Sequence, residues 1–484
     1  MRVLMISANR TRQPIPVIPF GACLVAQSAR RAGHDVRFLD LMFARDFAAR
    51  LVRQLTRDKA WPPDVVGLSV RNIDTNDVRN PLALADEAAR LVKIIRGHSN
   101  ATIVLGGAAL GVMPRQFLAR TGADWAVQAE GETVFPRLLA ALADRAAQDP
   151  ASIAGVIGPH GGPAWTDRSG DGSLADCTVA DFAQWVDVGA YLSRMATVPV
   201  QTKRGCPFDC VYCTYSMVEG RDYRLHPPEQ VVKAITELVA QGHRDIEFVD
   251  NVFNSPYEHA LAICRGLASA RAQGLLPRVR LHTTELNPRF LDDELLATMR
   301  QAGFVSIGLT VESAADEVLA GLRKGYAASD VHKAARMVGR LDLPCLWLFM
   351  LGGPGETQAT VRQTLDFARA CIRPTDTVFF QIGIRIYPGT ELERRAREEY
   401  VLTASADDML APVFYLSPGV TLDWLKAELA AATREQLNFV AADSIRLPLL
   451  QNVLRLSYRM GMRPPLWRHS RGLRRVLKWL HLHP

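Results

Sequence analysis

Three cysteines in the run TKRGCPFDCVYCTY, Cys206, Cys210 and Cys213, stand at the spacing C-x3-C-x2-C. Thiolates are soft ligands, and three of them on one short loop can wrap a compact iron–sulfur cluster. Zinc is the main competing metal. A structural zinc site normally takes four protein ligands, commonly as two paired knuckles, and the nearest further Cys or His, Cys177 and His226, form no second knuckle. A cluster held by three thiolates keeps one iron open to a small molecule. The other cysteines, Cys23, Cys177, Cys264, Cys345 and Cys371, are scattered singly and read as small buried hydrophobes. Eight cysteines in 484 residues argue against a disulfide scaffold and for a metal site in a reducing compartment.

The elements that must position this loop form a βα series. Strand patterns fall near residues 199–203, 245–250, 279–284, 305–308, 345–351 and 378–384, with helical periodicity at 228–241, 256–273, 291–302, 329–341 and 358–372. Six βα units predict a partial barrel, short of the eight of a full one. The segments IEFVDNVFN, GLTVES, LGGPGET and GIRIYPGT lie at or just after strand ends, where barrel loops build active sites. Within LGGPGET, Gly352, Gly353 and Gly355 would let the backbone approach a ligand closely.

With this motif on such a barrel, residues 196–392 resemble the radical SAM superfamily. The resemblance implies a four-iron, four-sulfur (4Fe-4S) cluster on the three cysteines, S-adenosylmethionine at the open iron, and an external electron donor. One electron would then cleave the sulfonium to a 5′-deoxyadenosyl radical. It also implies that Tyr212 packs near the adenine and that Glu312 receives the ribose hydroxyls, a charge-assisted role suited to a barrel-mouth carboxylate. Asp250, Asn251 and Arg385 become candidate contacts to the methionyl part or to substrate, or else strand-end caps. Tyr215, Glu219 and Arg221, just beyond the cluster loop, are candidate substrate-side catalytic groups.

Ahead of the barrel, strand patterns near residues 3–7, 35–39, 64–69, 102–105 and 125–128 alternate with helical ones at 19–32, about 81–96 and from about 133. Such alternation predicts a parallel, Rossmann-like sheet with its crevice at the strands' carboxyl ends. The loop SANRTRQPIP after the first strand carries neither G-x-G-x-x-G nor a P-loop, so dinucleotide and P-loop chemistry lack their backbone cradle. This domain, with GGAALGVMP and AEGETVF, resembles that of cobalamin-binding radical SAM enzymes, a likeness spanning roughly residues 1–395. No D-x-H-x-x-G occurs, so the implied cobalamin would be base-off without a histidine ligand from that motif. Arg71 and Asn72 in SVRNIDTN would lie at the lower face of cobalt and beside the corrin amides, unless Arg71 is a surface residue. Gly106, Gly107, Glu130, Gly131 and Glu132 are the further corrin or nucleotide-tail candidates. The two glutamates also suit simple charge compensation at a helix N-terminus.

The net charge of +7 is concentrated at one end: nine Arg or Lys and no Asp or Glu lie between Ile445 and Pro484. Apolar Trp467, Leu473, Val476, Leu477 and Leu480 interleave with these cations at helical spacing, which suits either a helix docked on the barrel or peripheral contact with anionic lipid. No nucleic-acid module accompanies the charge, so nucleic acid is not expected as a partner. No stretch approaches the roughly 20 apolar residues of a membrane span, and the N-terminus has no signal-peptide pattern, which points to the cytoplasm.

The expected architecture is α/β: a Rossmann-like cobalamin-binding domain (1–150), a linker (151–195) with a Gly/Pro/Asp-rich connector at 157–172, a partial (β/α)6 barrel (196–395), and a mainly helical C-terminal region (396–484) ending in the basic tail. The expected function is that of a cobalamin-dependent radical SAM enzyme methylating an unactivated carbon. A non-methylating ring formation, rearrangement or redox step is the alternative enzyme reading; an iron–sulfur sensor or scaffold is the alternative outside enzymes. The substrate would be a small molecule, with a lipid or other hydrophobic precursor in view.

Overall fold

The computed structural model describes residues 1–144, 146, 148–163, 181–405, 407–441 and 450–479. Six strands build the first sheet: β1 (Arg2–Ser7), β2 (Asp35–Asp40), β3 (Val65–Ser69), β4 (Thr102–Gly106), β5 (Trp125–Val127) and β6 (Val156–Ile157). Their order is β2-β1-β3-β4-β5-β6, parallel but for the antiparallel β6. RVLMIS of β1 is apolar in four of six positions and buried through its last five residues, as a central strand covered on both faces must be. The order reverses between β1 and β3, so the crevice opens beyond Ser7 and Ser69. Helix formation begins at Ala85, later than the periodicity suggests, because Ala83 bridges Asp74 and holds the preceding residues extended. The linker supplies more than a connection. Phe182, Trp185 and Tyr191 are buried in the first domain's core, and the Tyr191 hydroxyl donates to Asp40 at 2.7 Å. The connector beyond residue 163, and Cys177, lie outside the described residues.

The second sheet is the partial barrel. Its six strands β7 (Val198–Val200), β10 (Asp245–Phe248), β11 (Arg280–Thr283), β12 (Phe304–Glu312), β13 (Cys345–Leu351) and β14 (Thr377–Ile382) run parallel in chain order. Between the first two lie β8 (Lys203–Arg204) and β9 (Arg224–Leu225), a separate antiparallel pair. β15 (Ile384–Arg385) pairs with β16 (Phe414–Tyr415), and β17 (Phe439–Ala441) adds a seventh strand beside β14. That last strand comes from the C-terminal region, where three apolar-led residues are too short a run to show period. The expected strand at 199–203 breaks after Val200. The backbone N–H groups of Thr202 and Lys203 turn aside to donate to Asp250, and Lys203–Arg204 then pair with β9. Barrel helices follow their local signals: the Asp292 side chain caps the helix Asp293–Ala302, and Gly303 at φ +106° ends it. Among the described residues no helix is long and apolar enough to cross a membrane.

Candidate active site

The cluster loop leaves β8 and is fastened at its root by a buried carboxylate. Asp250 accepts from Thr202 N and Oγ1, both at 2.7 Å, and from Lys203 N at 3.2 Å, and its charge is met by Lys203 at 3.5 Å. Asn251 donates to Gly205 O at 3.3 Å, while Glu219 accepts from Gly205 N at 3.1 Å. The carbonyl of Gly220 accepts from Cys206 N and that of Cys210 from Cys213 N, so the backbone sets where all three thiols stand. All three are free. Burial raises each thiol's pKa, and neighbouring thiols raise those of Cys206 and Cys213 further; a bound metal would reverse that preference by selecting thiolate. A single zinc ion draws thiolates to about 2.3 Å from itself. Three free thiols on one loop fall one ligand short of the four that a structural zinc site takes, whereas three suffice for a cluster with one open iron.

The thiols line a cavity of about 260 Å³ at the carboxyl ends of the barrel strands. On its wall Glu312 Oε1 accepts from Tyr212 Oη at 2.9 Å and from Lys324 Nζ at 3.1 Å, and Lys324 also reaches Tyr212 Oη at 3.2 Å. Burial alone would lower the lysine's pKa, yet Glu312 and the tyrosines hold it well above the usual range. Glu312 sits at φ +61° where β12 slips register against β13. A bulge of this kind re-aims a side chain at the cost of a strained backbone. Glu285, beyond β11, also lines the cavity; burial first, then the Glu312 charge, push its carboxyl up to about 8. Leu348, Met350 and Phe379 make the opposite wall apolar.

The first domain faces this cavity across a gap. Its own shallow crevice, of about 20 Å³, is lined by Asn9 and Thr11 after β1 and by Arg71 and Asn72 after β3, at the point where strand order reverses. Tyr215 is 47% exposed although it stands deep between the domains, and its nearest charges include Glu285 on the barrel and Arg71 on the first domain. Desolvation lowers the pKa of Arg71, whose side chain nonetheless remains open to the gap. An exposed arginine at the switch point of a doubly covered parallel sheet, with an exposed tyrosine of the cluster loop near it, is an arrangement suited to a ligand bound at that crevice. The residues present therefore fit both an iron–sulfur cluster and a corrin.

Residues 200–368 match the family model of the radical SAM superfamily, and residues 12–139 match that of the B12 binding domain. The chain carries a radical SAM domain and a B12-binding domain. It is 25% identical over 389 residues to an uncharacterized methyltransferase of Pyrococcus horikoshii, covering 77% of both chains. It is 23% identical over 453 residues to the tryptophan 2-C-methyltransferase of Streptomyces laurentii, covering 82% of this chain and 74% of that one. The solved structure of the radical S-adenosylmethionine methyltransferase TsrM from Kitasatospora setae, with cobalamin and a 4Fe-4S cluster bound, superposes with a TM-score of 0.83 at 23% identity over 99% of both chains.

Of the residues singled out in sequence, this radical SAM fold gathers Cys206, Cys210, Cys213, Tyr212, Tyr215, Asn251 and Glu312 around the cavity and Arg71 and Asn72 at the facing crevice. Others it places elsewhere. Asp250 is 1% exposed and holds the loop root, so it does not face a ligand. Arg385 is equally buried: its Nε pairs with Asp74 at 2.6 Å and its Nη2 donates to Met409 O at 2.6 Å, which latches the β3 loop to the barrel. Arg221 lies outside, in an exposed pair with Asp209 at 2.5 Å. Glu219 acts on the cluster loop backbone and does not line the cavity.

Glu130 meets Arg224 at 2.5 Å and Arg204 at 3.3 Å, and Glu132 meets Arg204. These carboxylates tie the first domain to the β8–β9 pair and are not left for corrin amides. Gly131 is needed for packing, because a Cβ there would lie 2.7 Å from Val25. Gly353 N donates to Glu356 at 3.0 Å and the residue packs on Leu322 and Ile384. Gly107, at φ +98°, lets the loop after β4 press on the Val70 carbonyl, whereas a Cβ on Gly106 would meet open space. Gly106 thus stays a corrin candidate. Glu285 and Lys324 carried no sequence signal, since their role depends on loop ends from separate strands converging.

Proposed function

We propose that this enzyme is a cobalamin-dependent radical SAM methyltransferase acting on a carbon of a small substrate with an apolar body. The observation that carries the reading is a shared wall: Tyr215, two residues from Cys213, stands between the thiol-lined cavity and the crevice of Arg71. When bound, the cluster supplies the electron for cleaving S-adenosylmethionine and cobalamin carries the methyl group. Cys206, Cys210 and Cys213 hold the cluster. Glu312, steadied by Lys324 and Tyr212, receives the ribose hydroxyls. Asn251, on the far side of the loop, contacts the methionyl part. Leu348, Met350 and Phe379 receive the apolar body of the substrate, and Glu285, protonated at neutral pH, offers it both a donor and an acceptor.

On the other side of the gap, Arg71 would face a bound corrin with its positive charge, and the chain would offer it no histidine from a D-x-H-x-x-G motif. Asn72 and Gly106 are proposed beside the corrin amides. A substrate with an aromatic ring is in keeping with this pocket and with the tryptophan bound in the related TsrM structure; a hydrophobic lipid precursor fits the same apolar wall.

Two measurements test this. Anaerobically purified protein should show corrin absorption beside the cluster band, with the corrin band altered in Arg71→Ala. The product should gain one CH2; an unchanged or two-hydrogen-lighter product would instead support ring formation, rearrangement or redox chemistry. If reconstituted protein cleaves no S-adenosylmethionine above a variant lacking the three cysteines, the sensor reading replaces the enzyme.

A further inference from the structure

Eleven large hydrophobic side chains stand exposed among the described residues, and five of them, Val453, Leu456, Met460, Leu473 and Val476, lie on or directly after the helices Leu450–Arg459 and Ser470–Trp479. The helix Leu450–Arg459 is docked by a different stripe: Leu450 and Leu454 are buried against Met195. Val453, Leu456 and Met460, at intervals of three and four, therefore form a second apolar stripe that no other part of the described chain covers. Met460 is 72% exposed. On the helix Ser470–Trp479, Arg474 is the docking residue. Its Nη2 donates to Thr433 O at 2.6 Å and its Nη1 to Gln436 O at 3.1 Å, while Leu473 and Val476 point outward.

Charge follows the apolar stripe. Arg455, Arg459, Arg463, Arg468, Arg475 and Lys478, in the same stretch of chain as these five residues, are all exposed, and the chain from Ile445 onward contains no carboxylate side chain to neutralise them. Aliphatic side chains at the centre of a cationic face gain little against a phosphate backbone, where binding is mostly ionic. They gain more at the headgroup boundary of a bilayer, which takes cations at the phosphates and aliphatic groups just beneath. We propose that this face is a peripheral docking surface for an anionic phospholipid bilayer. Its position limits what it does. Thr377, at the start of β14, donates to Trp467 O at 2.9 Å, whereas Gln381 near the end of the same strand lines the cavity. Lipid contact is thus at the barrel end opposite the cavity, and it recruits the enzyme without feeding substrate through that face.

The test uses the full-length, cluster-loaded protein sedimented with vesicles of phosphatidylcholine alone or mixed with phosphatidylglycerol. Binding is expected only to the mixed vesicles, weakening with salt, and falling about tenfold or more in Leu456→Glu/Met460→Glu. Tyr400→Glu, which alters an exposed side chain elsewhere, should bind as the parent does. Iron content and Tm identify any variant that fails to fold; all three sites are solvent-facing. The proposal is overturned if mixed vesicles are not bound, if the double variant binds them undiminished, or if duplex RNA or an acidic protein is held more tightly than the vesicles.

Discussion

On the barrel side of the central cavity the charged groups already hold one another: Glu312 has Lys324 and Tyr212, and Asp250 has Lys203 and the backbone at the root of the cluster loop. On the facing domain the crevice holds one pair of its own, Arg10 with Glu87 at 2.7 Å, but Arg71 beside it has no hydrogen bond to a described residue, and the ties to the barrel are Asp74–Arg385 and Glu130 and Glu132 with Arg204 and Arg224. The difference separates two strategies. The barrel is preorganised, so that little rearrangement accompanies ligand binding. The gap keeps its width through latches at the edge, and its centre is left for the occupant to organise.

The largest effect should come from the loop that belongs to both sides. Cys210→Ala should lower iron content and bring S-adenosylmethionine cleavage to background. Retention of a full cluster and of cleavage would mean that the three thiols are not its ligands.

Breaking a rim latch should act next. Arg385→Ala leaves Asp74 buried with no counter-charge, a loss expected to cost about 3–5 kcal/mol. Tm should fall, and cobalamin retention should fall with it because the β3 loop carrying Arg71 is no longer fastened. Arg385→Ala/Asp74→Ala should recover part of the Tm, since no buried charge is then left alone. An unchanged Tm in the single variant would remove the distinction between rim and centre.

The contrast was only half readable in the sequence. The thiols were legible because one short loop carries all three, and Arg71 because it directly follows a strand whose apolar run is clear. The five parallel strands of the first sheet and the six barrel strands could be read from period and turn residues, with most boundaries moving by a few residues, whereas β6 fell in the expected linker. Arg385 and Asp250 stayed open between ligand contact and strand-end cap for a common reason: strand-end position says which end of a barrel a residue occupies, not whether a residue 311 positions away in sequence, as Asp74 is from Arg385, has taken its charge. Lys324 and Glu285 were missed for the converse reason. β17 escaped because its pairing with β14 is decided wholly by tertiary contacts.

The smallest effect, and the most specific, concerns the one cavity carboxyl that is not paired. Glu285 is raised from an ordinary 4.5 to about 8, through burial and then the charge of Glu312, with Lys324 opposing. Between those values the folded chain holds a proton that the unfolded chain has released. The contribution to stability is therefore complete below about 4.5 and is lost as pH rises through about 8. Glu285→Gln removes that dependence, so the parent should lose stability more steeply than the variant across this window, by about 1–2 kcal/mol, a discounted figure because cavity water reaches the carboxyl. Glu312→Gln should show the opposite sense: losing the carboxylate frees Lys324 from its partner at all neutral pH values and lowers stability throughout. Parallel pH–stability curves for the parent and Glu285→Gln would place this carboxyl among the paired groups and erase the asymmetry inside the barrel itself.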